Sequence, residues 1–146
     1  MHHLTKRTQH IILPILYFIS LIESNHNPEA IGDQGRALGH LQIHAECVED
    51  VNNWYGTDYC HQDMHIPELA VEVFFKYMAM GETLFIKKYT RFPEEQDLVK
   101  FWNHGIYYQP KDSKYYEKYR KAKQEKEKKT TKGFEVPQFR NIGYTP

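Results

Sequence analysis

A chain of 146 residues that is 40% hydrophobic and 14% aromatic is long enough to bury a real core and too apolar for intrinsic disorder. Two cysteines exclude a disulfide scaffold. The formal net charge of zero conceals a division, because residues 111–132 hold ten Lys/Arg against four Asp/Glu and the remainder holds nine against fifteen.

The first apolar run, IILPILYFISLI at 11–22, follows Lys6 and Arg7 and so has the charge and length of a signal-peptide core. Twelve residues are too few for an ordinary membrane span, and no small-residue cleavage pattern separates them from ESNHNP. The run reads as a core helix with Pro14 in its first turn, where a missing N–H costs nothing. No stable membrane insertion and no export signal are expected.

An irregular segment from Asn25 to Ala37 comes next, rich in Asn, Pro and Gly. Beyond it, Leu41, Ala45, Val48, Val51 and Tyr55 keep the three-and-four rhythm of an amphipathic helix that Gly56 stops. Pro67 opens a second long helix whose broad apolar face (Leu69, Val73, Phe74, Tyr77, Met80) predicts burial and an end near Gly81. Pro93, Glu94 and Glu95 make a good first turn for a third, which Leu98, Phe101 and Trp102 line and Gly105 ends.

From Ser113 the pairs Glu117/Lys121 and Glu125/Lys129 support an exposed helix with a solvated basic face, closed by Gly133 and Pro137. No stretch alternates convincingly with period two, so the expected fold is mainly α, one domain over residues 1–130 with an extended tail at 131–146. Cys47 and Cys60 are expected as buried free thiols.

The chemistry centres on Glu23. A carboxyl at the end of an apolar helix is partly desolvated, and desolvation lets it hold a proton near neutrality. Glycoside cleavage needs such an acid, because the leaving alkoxide must be protonated. A lone glutamate is ordinarily a solvated helix end, but Ser24, Asn25, Asn27 and Gln42 add hydrogen-bonding groups suited to sugars, and Gly32, Gly35 and Gly39 let a backbone approach a ligand closely.

The segment ESNHNPEAIGDQGRALGHLQI resembles the pattern of lytic transglycosylases, with a Glu-Ser pair, an Asn-Pro, spaced glycines and a Gly-Leu-Met-Gln-Ile-like element, here Gly39 to Ile43. A second family element, an aromatic-Asn-x-Gly segment, is matched by Trp102, Asn103, His104 and Gly105, and YYEKYRKA resembles the helix that follows it. The likeness runs from about His10 to Ala122 and implies a lysozyme-like helical fold that cleaves the bond between N-acetylmuramic acid and N-acetylglucosamine in peptidoglycan. It makes Glu23 the catalytic acid and then base, with Ser24 orienting it and Gln42 and Asn103 holding the sugar. Trp102 stands in place of the family's usual Tyr. His104 interrupts a segment that relatives often write with paired glycines and borders the glycan, as does a wall formed by Tyr107 and Tyr108.

Two reactions fit. In transglycosylation the 6-hydroxyl of the muramyl residue attacks its own anomeric carbon and one carboxyl suffices, whereas in hydrolysis water attacks and a second carboxylate assists. Asp33, in a Gly-Asp turn like that of goose-type lysozymes, is the candidate second group; the alternative for it is an Asx-turn. Where goose-type enzymes carry an acid after Gln-Ile, this chain has His44, which favours the single-carboxylate route.

Other classes stay open: a lysozyme-like module that binds glycan without turnover, and a nucleic-acid binder resting on the basic stretch, disfavoured because Glu125 and Glu127 interleave with its lysines. The pairs His40/His44 and His61/His65 have helical i,i+4 spacing, yet no HExxH or Cys/His quartet accompanies them, and neither metal nor cofactor is expected. The expected partner is a peptidoglycan strand, the expected state a monomer, and the expected place of action the cell wall, as for a phage lysis or virion-associated enzyme.

Overall fold

The computed structural model describes residues 3–105 and 113–131, and helices dominate it. In chain order they are α1 (Lys6–Ser24), α2 (Ala45–Tyr55), α3 (Pro67–Tyr89), α4 (Glu95–His104) and α5 (Lys114–Thr131). Between α1 and α2 lies a small antiparallel hairpin, β1 (Ile31–Gly32) and β2 (Ala37–Leu38), joined by a 3-10 turn at Asp33–Gly35; a second 3-10 turn, His61–His65, leads into α3. The fold is mainly α. The two strands pair Ile31 with Leu38 and Gly32 with Ala37, too short for any alternation to show in the sequence.

One apolar core draws on every helix. Ile15 and Ile19 of α1, Val51 of α2, Phe74 and Met78 of α3, Leu98 of α4 and Tyr119 of α5 are all but inaccessible. Helix α3 is central, packing on α2 and α4, and α5 closes the bundle across α1 and α4. Two buried carboxylates fasten helix starts. Glu82 accepts from the Thr5 N–H and from the hydroxyls of Thr5 and Thr8, so the first turn of α1 is tied to α3. Asp97 accepts from the Glu94 N–H and pairs with Arg91 at 2.9 Å, anchoring α4.

Several expectations need correction. Helix α1 begins at Thr5, whose side chain caps Thr8, so Pro14 lies mid-helix rather than in the first turn. Both Pro14 and His10, the carbonyl deprived of its donor, face solvent, where the lost bond is cheapest. Gly81 does not end α3, which continues to a left-handed cap at Thr90. A Cβ at Gly81 would strike the Phe101 ring, so this glycine is the point of close approach between α3 and α4.

Helix α5 is not simply a solvated rod. Tyr115, Tyr119 and Ala122, at i, i+4 and i+7, pack on the core, while Lys123 reaches Glu95 at 2.9 Å and Lys126 lies 3.7 Å over the Tyr17 ring. Glu117 pairs with Arg120 at i+3 instead of with Lys121. Both thiols are free; Cys47 is half-buried, but Cys60 is exposed because it caps the 3-10 turn at His61–His65. Among the described residues no helix is long and apolar enough to cross a membrane. Of the tail expected at 131–146, Thr131 is the last residue of α5, and the rest, like Tyr107 and Tyr108, lies outside the described residues.

Candidate active site

Glu23 sits in the last turn of α1, and the chain reverses immediately behind it. Asn25 and His26 both adopt left-handed backbone (φ 53° and 61°), and their N–H groups close on the Leu21 and Ser20 carbonyls. This turn sends the chain back as the hairpin, which brings Asp33, Gln42 and His44 to the same opening as Glu23. From the other side α4 delivers Trp102, Asn103 and His104, so the two motif blocks meet across one cleft of about 670 Å3.

The loop that forms the near wall is held tightly. Gln42 is left-handed (φ 52°), a costly conformation for a residue with a side chain, and its amide NH2 donates to the Gly39 carbonyl at 2.9 Å and the Ala30 carbonyl at 3.3 Å. Its Oε1 lies against Gly32, where a Cβ would collide with it. Gly39 is also obligatory, being left-handed (φ 80°) and pressed on the Met64 carbonyl. From beneath, His61 Nε2 donates to the Ile43 carbonyl at 2.7 Å and His65 Nδ1 to the Pro28 carbonyl at 3.0 Å. These imidazoles therefore fasten the loop. Among the described residues no group of three His, Cys, Asp or Glu is placed to hold a metal.

Glu23 itself is mostly shielded. Tyr115 Oη donates to its Oε1 at 2.7 Å. Burial pushes the Glu23 carboxyl above the usual carboxylate range, against the opposing pull of that hydrogen bond and of the positive charges of Lys118 and His44. Burial also drives the Tyr115 phenol well up, so it stays a donor. A carboxyl shifted upward by burial, with one oxygen held, is suited to deliver a proton to a leaving group in the cleft.

Among the described residues, three other carboxylates line the opening. Asp33, left-handed at φ 49°, is pinned between Arg36 (2.9 Å) and His44 Nε2 (3.5 Å). Glu46 and Asp50 project from one face of α2, and Asp50 is raised by burial and by the nearby charges of Glu49 and Glu46. Trp102 is seated on Phe74 and Tyr77, with ring centroids 5.0 and 5.8 Å away. Asn103 and His104 are exposed at the end of α4, which Gly105 caps at positive φ (67°) against the Tyr77 hydroxyl.

Of the residues expected from sequence, Glu23, Asp33, Gln42, Trp102, Asn103 and His104 share the cleft. Ser24 does not line it and makes no bond to Glu23; its hydroxyl donates to the His40 carbonyl at 2.7 Å and accepts from the Asn27 N–H, tying the end of α1 to the loop. His40 likewise stands outside the cleft wall, beneath it, with Nδ1 3.0 Å from the Ser20 hydroxyl, and burial lowers its pKa. Sequence reasoning missed Tyr115, Tyr77, Glu46 and Asp50. The i,i+4 spacing of Glu46 and Asp50 on a helix starting at Ala45 was the available signal for that pair. Compared with protein-family models, with curated proteins and with solved structures, the chain matches none.

Proposed function

We propose that the protein cleaves peptidoglycan glycan strands at the β-1,4 bond between N-acetylmuramic acid and N-acetylglucosamine, as a lytic transglycosylase of lysozyme-like type. The observation that carries this reading is Glu23: a desolvated carboxyl, gripped by Tyr115, at the floor of a cleft shared by both sugar-binding motif blocks. Its proton passes to the glycosidic oxygen as the C1–O bond breaks, leaving an oxocarbenium-like muramyl ring. The muramyl 6-hydroxyl then attacks that anomeric carbon, and the Glu23 carboxylate takes up the hydroxyl proton. The product is a 1,6-anhydro end, and Glu23 is protonated again for the next cycle. Trp102 offers a face for a sugar ring, and Asn103 offers an amide for its acetamido or hydroxyl groups.

Hydrolysis is the second reading, favoured by the other carboxylates in the cleft. Asp33 is the nominal base, but its carboxylate oxygens are already engaged by Arg36 at 2.9 Å and by His44 at 3.5 Å, which supports the route with a single carboxyl. Mass spectrometry of the products separates the two, because anhydro ends are lighter than reducing ends by one water. Glu23→Gln is expected to lower wall clearing by about a hundred- to ten-thousand-fold while the far-ultraviolet circular dichroism is unchanged. A variant that clears walls at the parental rate refutes the assignment.

A further inference from the structure

A second groove adjoins the cleft, and Asp50 lines both. It has a volume of about 720 Å3 and runs between the C-terminal ends of α2 and α3. Its floor is apolar, made by Met80, Leu84 and Trp54, the last 38% exposed, and Lys87 and Lys88 stand along its side. Neither lysine has an acidic partner among the described residues; Lys88 lies 5.2 Å over the Tyr89 ring. The two grooves differ in kind. The cleft presents the carboxyls, amides and imidazoles that sugar hydroxyls require, whereas the acceptor side chains that the described residues bring to the second groove are Asn53 and Asp50, beside the two ammonium groups. An apolar floor beside two cations fits a short peptide with small apolar side chains and free carboxylates.

We propose that this groove receives the peptide stem carried by the muramyl residue bound in the cleft, which makes the protein selective for strands that bear stems. The inference rests on the peptidoglycan reading above. The stem is linked to the sugar, so a strand lying past Asp50 needs only a few extended residues to reach the lysines, and the second contact strengthens binding by raising the local concentration of the stem.

The chain contains two tryptophans, one in each groove, so fluorescence reports each groove separately. In a Glu23→Gln background, Trp102→Phe leaves Trp54 as the reporter and Trp54→Phe leaves Trp102. Each protein is titrated with soluble peptidoglycan strands bearing stems and with the same strands stripped of stems by an amidase. The expected result is a Trp54 response to the stem-bearing strands alone, a Trp102 response to both, and about tenfold weaker binding of stem-bearing strands in Lys87→Glu/Lys88→Glu. A Trp102 response with Trp54 silent overturns the groove while leaving the glycosidase reading standing. Equal Trp54 responses to both kinds of strand, insensitive to the lysines, make the groove a sugar site and overturn the stem assignment. Silence of both reporters with every strand removes the peptidoglycan reading and this inference together.

Discussion

Glu23 and Tyr115 form the pair on which the proposed chemistry turns, and they make opposite demands. Burial favours the protonated carboxyl, while the phenolic hydrogen bond favours the anion, so the net upward shift is smaller than burial alone would give. Tyr115→Phe removes the opposing influence. The alkaline limb of the pH dependence of kcat/KM, where the general acid loses its proton, is then expected to move to higher pH; an unmoved limb would detach Tyr115 from the acid. The same shift has a stability consequence. Because the folded pKa lies above the ordinary value of 4.5, the protonated carboxyl contributes stability that is complete below pH 4.5 and is lost as pH rises through the folded value. Glu23→Gln, which carries no charge to desolvate, should therefore melt at a higher temperature than the parent at pH 7, and thermal scans of the two should converge near pH 4.

At the level of elements, packing between α3 and α4 hangs on one missing methyl. Gly81→Ala gains at most about 1 kcal/mol of helix propensity but drives a Cβ into the Phe101 ring, an overpacking cost of about 1–3 kcal/mol. Net destabilisation of up to about 2 kcal/mol in urea titration is expected. Sequence reading took that glycine for a helix end, because a glycine in an apolar periodic run is a stop signal until the neighbour across the interface is known. Where the determinants are local, the reading carried further. Gly56 and Gly105 do end α2 and α4, both at positive φ, and Pro67 does begin α3. Of the candidate site, the two motif blocks were legible because each is contiguous. Tyr115 was not: the basic charge of α5 drew attention to its outer face, although Tyr115, Tyr119 and Ala122 already traced an inner one.

For the molecule as a whole, α5 is docked on the bundle chiefly by its first half. Tyr115, Tyr119 and Lys123 reach Glu23 and Glu95, whereas residues 124–131 are exposed, with Lys126 lying over the Tyr17 ring. Amide exchange is accordingly expected to be fast over 127–131 and slowest in α3, and a mass-spectrometric exchange time course would read this directly. The Tyr115 bond spans 92 positions of sequence. During synthesis, then, Glu23 leaves the ribosome long before the phenol that holds it, and the proposed acid stays without that partner until α5 has emerged and settled across α1.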